Sequence, residues 1–154
     1  MTSVKTVMSH RLIAVPLGTP IEKAERLMRE KRIRHLPVID EEDVVVGVIS
    51  QRDLIGVRDP KTEFVELAMK SPVQSIPGDW PLRKAVFEML EKKISCLLVS
   101  DPEDMAVGIL TTDDLLWFLA SHLPEEEKEK APILSADRRL TIGEVANELS
   151  MMGI

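Results

Sequence analysis

The sequence predicts an α/β (α+β) fold built from two pseudo-symmetric β-α-β-β-α repeats packed sheet to sheet, and three observations carry that prediction. First, the chain writes one stretch twice: Gly47-Val48-Ile49-Ser50-Gln51-Arg52-Asp53 returns as Gly108-Ile109-Leu110-Thr111-Thr112-Asp113-Asp114, a shift of 61 residues. Second, the same shift places Met8 on Met69, Pro16 on Pro77, Lys23 on Lys84, Met28 on Met89, Leu36 on Leu97 and Asp40 on Asp101 without a gap. Such register over a whole repeat marks a tandem duplication. Third, aliphatic and β-branched runs alternate with helical periodicity inside each copy, as in strand-helix-strand units.

In the first copy, residues 12–15 form a short strand that stops at Pro16. Thr19 is placed to cap a helix and Pro20 suits its first position, while Ile21, Ala24, Leu27 and Met28 make the apolar stripe. The helix is expected to end at Lys31–Arg32, where positive charge complements the dipole. Residues 36–39 read as a second strand, with Pro37 restricting it to an edge or an irregular pairing. Residues 40–43 form a charged turn, and residues 44–49 a third strand apolar enough to be buried on both faces. A helix starts near Gln51 and runs into the link at 56–60.

The second copy repeats the order at 73–76, 81–93, 96–99, 105–111 and 112–123. A helix-like segment at 64–69 precedes it as residues 4–8 precede the first. Sequence therefore divides the chain into 1–60, 61–123 and a tail, 124–154, that opens on a charged linker and closes on a strand-helix pattern. Each repeat leaves one sheet face bare, and two bare faces bury each other in one body.

At 154 residues, 44% hydrophobic and 30% charged, the chain is an ordinary globular domain in composition. Aromatic residues are only 3%, so the core rests on aliphatic and Met side chains. A net charge of −6 argues against nucleic acid or an anionic membrane as partner, but leaves room for a small anion at a local basic cluster. The single cysteine, Cys96, admits no intramolecular disulfide, no apolar run reaches the ~20 residues of a membrane span, and residue 1 onward shows no signal-peptide core. A cytoplasmic location is the expectation.

The repeated junction has chemistry of its own. A helix start presents free N–H groups that favour phosphate, a hydroxyl donates to ribose or phosphate oxygen, and an ionised Asp accepts from two vicinal hydroxyls. The same spacing, Ser50-x-x-Asp53 and Thr111-x-x-Asp114, also fits a capping box that merely satisfies the helix start. Both readings stay open.

The duplicated Gly-hydrophobic-x-Ser/Thr-x-x-Asp, with Leu36-Pro37-Val38 upstream, resembles the CBS-domain family over about residues 3–122. That resemblance implies a Bateman module whose clefts take adenosine-containing ligands such as AMP, ADP, ATP or S-adenosylmethionine, sensing them rather than transforming them and requiring no cofactor. By the same resemblance Asp53 and Asp114 hold ribose with Ser50 and Thr111 beside them. Residues before the second strand of one repeat then face the Asp of the other, so Arg34 and His35 serve the Asp114 cleft, and Ser95 and Cys96 the Asp53 cleft. Arg52 adds a cation at the Asp53 cleft, whereas Asp113 opposes phosphate at the other. With two cationic candidates, the Asp114 cleft is favoured, and one occupied site over two. The bland alternatives are a strand-end role for His35, a solvated helix end for Arg34, and core filling for Cys96.

Residues 137–146, followed by Leu149 and Gly153-Ile154, are similar to the opening strand-helix of an ACT domain, as in acetoin-utilisation-type regulatory proteins. That family has Pro-Gly where this chain has Arg139-Leu140. The alternative is a tail helix that packs on the module or on a second subunit.

His10, His35 and His122 are scattered, and the chain has no Cys/His metal spacing, phosphate-binding Walker loop or Gly-rich dinucleotide turn. The expected function is therefore a non-enzymatic, ligand-sensing regulatory module, homodimeric through its helices, acting on an effector domain or protein. The rivals are a dimerisation module with empty clefts, a nucleic-acid-binding CBS protein, and an amino-acid sensor through a completed ACT domain.

Overall fold

Both copies of the repeat fold alike, because the same residues recur at the same places. The computed structural model describes residues 1–124; the expectations for the rest of the tail lie outside the described residues. In the first half, β1 (Val15–Pro16), α1 (Ile21–Lys31), β2 (His35–Ile39) and β3 (Val45–Ser50) are followed by a 3-10 turn at Asp53–Gly56. In the second, β4 (Ser75–Pro77), α2 (Leu82–Lys92), β5 (Cys96–Ser100) and β6 (Ala106–Thr111) lead into α3 (Thr112–His122). The three-stranded sheets run β1-β2-β3 and β4-β5-β6, parallel across the first pair and antiparallel across the second.

Registers correspond strand for strand. Val38 faces Gly47 as Val99 faces Gly108, and each pairing slips just after that point. The charged turns are built by one carboxylate: Asp40 Oδ1 accepts from the N–H groups of Glu42 (2.9 Å) and Val44 (3.0 Å), and Asp101 repeats this with Glu103 and Met105. Asp43 and Asp104, both at φ 60°, take the left-handed position those turns require.

Several expectations need correction. Thr19 caps nothing in α1; its hydroxyl donates back to Pro16 O (2.7 Å), and Pro20 stands at the N-cap. Pro37 lies in the middle strand rather than at an edge, and the irregularity in its pairing with β3 comes one residue on, between Val38 and Ile39. Pro37 is tolerated because β1 spans only two residues and pairs with Val38 and Ile39, so no neighbour needs a donor from residue 37. Val45, Val46 and Val48 are half-buried, so β3 is not sealed on both faces. After β3 the chain makes one 3-10 turn where a helix is expected, since Gly56 and Pro60 follow within a few residues. The segments ahead of β1 and β4 are likewise single 3-10 turns, Val4–Thr6 and Val65–Leu67.

These short segments are exchanged between the halves. Val4 and Met8 are buried with Ile76, Met89, Leu97 and Leu110 of the second half. Val65 is buried with Val15, Met28, Leu36 and Ile49 of the first, with Ala68 and Met69 packed alongside. Backbone hydrogen bonds fix each crossing: Ser9 N to Ile109 O (2.9 Å) and Ile109 N to Ser9 O (3.0 Å), matched by Lys70 N to Val48 O (2.9 Å) and Val48 N to Lys70 O (3.1 Å). The repeated glycines sit beneath these crossings. A Cβ on Gly108 would meet Ser9 O and Met8 Sδ at 2.8 Å, and one on Gly47 would meet Met69 Sδ at 2.5 Å.

Leu36, Val38, Leu97 and Val99 face the helices. Pro37 and Leu98, on the opposite sheet faces, are buried as well, so the second face of each sheet is covered. Among the described residues no helix is long and apolar enough to cross a membrane.

A cavity between the halves

Asp53 opens the 3-10 turn after β3, and its two carboxylate oxygens are used differently. Oδ2 accepts from Ser50 N (2.8 Å) and Ser50 Oγ (2.5 Å), while Asp53 N–H donates to Ser50 Oγ (3.4 Å). That is a reciprocal capping box. Oδ1 lies 3.3 Å from Lys70 Nζ. Burial opposes the charge on Asp53, but the bonds from Ser50 and Lys70 outweigh it and hold the carboxyl below its ordinary range.

Asp114 repeats the box. Its Oδ2 accepts from Thr111 N and Oγ1, both at 2.7 Å, and its N–H donates to Thr111 Oγ1 (3.3 Å). The capping reading of both motifs is thus realised. The Oδ1 partner differs: Ser9 Oγ donates to Asp114 at 2.9 Å. Ser9 and Lys70 are the same position of the repeat, 61 residues apart, and so a neutral donor in one half stands where a cation stands in the other.

A cavity of about 860 Å³ opens beside Asp53. Arg34, His35, Ser50 and Arg52 of the first half line it, and Lys70, Lys93, Ser95 and Cys96 come from the second. Val48 and Leu98 give it an apolar wall. Five of the seven sequence-predicted site residues (Arg34, His35, Ser50, Arg52, Asp53) therefore meet in one place. Thr111 and Asp114 lie outside it, at the start of α3, where Thr112 touches the lining. The Asp114 cleft favoured on sequence is not part of this cavity. Arg34 does reach toward that side, but its Nε (3.1 Å) and Nη2 donate to the two carboxylate oxygens of Asp113, so the carboxylate expected to repel phosphate is neutralised instead.

His35 and Ser95 touch across the halves, with Nε2 and Oγ 2.7 Å apart. Burial lowers the His35 pKa, reinforced by the adjacent Arg34. Burial pushes the Cys96 thiol up to about 11, with Asp53 adding to it, so the thiol stays protonated and is a poor nucleophile.

Sequence reasoning missed Lys70 and Lys93. Lys93 holds the left-handed C-cap of α2 (φ 52°), as Arg32 does for α1 (φ 54°). Setting Ser9 against Lys70 at the repeat shift is the signal that would have found the former. With Arg34 and Arg52 these lysines make four cationic side chains around one carboxylate in a chain of net charge −6.

The CBS domain family model matches residues 4–59 and 64–121. A homoserine O-acetyltransferase of Methanohalobium evestigatum is 31% identical over 114 residues, 74% of this chain and 23% of that protein. The chain thus spans about a quarter of that curated relative. Among solved structures, the CBS domain pair of protein MJ0100 in complex with 5′-methylthioadenosine and S-adenosyl-L-methionine superposes with a TM-score of 0.72 at 26% identity, covering 79% of this chain and 98% of that one. CBSX2 in complex with AMP superposes with a TM-score of 0.67 at 26% identity, over 79% of this chain and 98% of its own.

Proposed function

We propose, because this chain belongs to the CBS-domain family, that it is a regulatory module that binds an adenosine-containing nucleotide in the cavity between its halves. The observation that carries this reading is Asp53 Oδ1, a carboxylate oxygen outside the capping box, facing a cavity of about 860 Å³ ringed by cations. That volume lies in the range of roughly 300–1,000 Å³ typical of small-molecule sites. Vicinal ribose hydroxyls supply two donors for the carboxylate, Val48 and Leu98 supply apolar surface for a base, and Lys70, Lys93 and Arg52 supply charge for phosphate. The adenosine ligands of the two related structures support the same ligand class.

The module senses and does not transform. Cys96, the thiol in the cavity, is held protonated, and Asp53 is fixed as an acceptor. Because the cavity draws on both halves, a ligand that bridges them favours one arrangement of the halves over another, and that difference in affinity is what passes to an effector domain or protein.

Isothermal titration of the full chain with AMP, ADP, ATP and S-adenosylmethionine tests the reading. Saturable binding is expected, abolished by Asp53→Ala and retained by Asp114→Ala. Asp53→Asn keeps an acceptor for the Ser50 N–H, so its loss of binding separates ligand contact from helix capping. No heat with any of the four ligands would overturn the proposal.

A second reading rests on a separate surface. Phe87, Leu90, Leu116, Trp117 and Leu119 are exposed on α2 and α3. This apolar helical face fits a second copy of the chain, and homodimerisation is compatible with, or independent of, ligand binding.

A further inference from the structure

We infer that Lys70 is the specificity-determining residue of the cavity, selecting nucleosides that carry a phosphate over neutral or cationic ones. The inference rests on the proposed ribose contact of Asp53 and concerns what that contact displaces. Asp53 Oδ2 is filled by both donors of Ser50, so the oxygen left for a ligand is Oδ1, the one Lys70 Nζ holds at 3.3 Å. A ribose that takes Oδ1 releases the ammonium. Lys70 keeps its place in the wall when this happens, because its backbone is pinned to Val48 by two hydrogen bonds while its side chain is 74% exposed and free to swing.

The displaced ammonium is left to water, and none of the remaining lining residues supplies it an anion. Lys93 and Arg52 are cations, and the carboxylate nearest Arg34, Asp113, is already engaged on both oxygens. A phosphate on the incoming nucleoside completes the exchange: the carboxylate passes from Lys70 to ribose, and Lys70 passes from the carboxylate to phosphate. Adenosine or 5′-methylthioadenosine leaves Lys70 unpaired, and S-adenosylmethionine, whose sulfonium and ammonium outnumber its one carboxylate, brings net positive charge to a like-charged wall. The matching position in the other half, Ser9 on Asp114, stores no charge to exchange, so this selection belongs to the Asp53 side alone.

The test is titration of the full chain with AMP and with adenosine, on the wild type, Lys70→Met and Lys70→Arg. The wild type is expected to prefer AMP. Lys70→Met is expected to lose about tenfold for AMP, the scale of one charge-assisted contact at a half-open site, and to bind adenosine as well as or better than before. Lys70→Arg, which keeps a cation, is expected to retain the preference. An equal loss of both ligands in Lys70→Met, or an unchanged ratio, overturns the inference while leaving the nucleotide site standing. If neither ligand binds the wild type, it is the proposed function that fails.

Discussion

His35 Nε2 and Ser95 Oγ meet at 2.7 Å, joining the first residue of β2 to the residue just before β5, 60 positions later in sequence. The contact is one of the few polar links between the halves outside the exchanged segments, and it sits on the cavity wall. Its partners make it asymmetric: the residue matching His35 in the second half is Cys96.

That asymmetry gives a pH dependence. The folded state lowers the His35 pKa below its ordinary 6.5, chiefly by burial and then by Arg34, against the opposing pull of Asp113, Asp53 and Asp114. Below that value the unfolded chain takes up a proton that the folded chain resists, so stability rises with pH through the window between the lowered pKa and 6.5. Thermal melts of the wild type are expected to fall as pH drops from 7 toward about 5.5, with at most one proton's slope from this group. His35→Gln is expected to flatten the profile. An identical slope in the variant would assign the dependence to other groups.

The two repeated glycines differ in what lies above them. On Gly108 an added methyl meets a backbone oxygen, Ser9 O, which is tied to Ile109 and has no room to retreat. On Gly47 the nearest atom belongs to the flexible Met69 side chain. Gly108→Ala is expected to cost about 2–3 kcal/mol and Gly47→Ala about 1 kcal/mol, within the usual span for overpacking. Urea midpoints of the two variants check the order. Equal midpoints would show that the crossing at Ser9 shifts as easily as a methionine.

Trp117 is 79% exposed on α3, beside Leu116 at 61%. If this face joins two copies, Trp117→Glu places a charge in the seam and is expected to halve the mass measured by light scattering at micromolar concentration, with the melting temperature of the monomer little changed. A wild type that is already monomeric removes the dimer reading.

Much of this was legible in the sequence because a duplication prints its own alignment. The helices α1 and α2, the order of elements along the chain and the box at each junction all follow from residues that recur at one shift. The exchange of Val4–Met8 with Val65–Met69 was not legible. Both segments carry the same apolar spacing, so pattern alone fits either with its own half or with the other. Lys70 was hidden for the opposite reason: it breaks the repeat, and a comparison built on what recurs passes over what does not. Thr19 satisfied every local rule for a cap, yet its hydroxyl donates to the nearby Pro16 O instead.

The crossing of Val4 and Met8 into the second half also orders events in time. Their seat is formed by Ile76, Leu82, Met89 and Leu110, so this stretch has nowhere to dock until β6 has emerged from the ribosome. The first half, by contrast, has everything it needs once Met69 is out. Synthesis therefore completes the first lobe early and leaves the second open, with Val4 and Met8 waiting to close it.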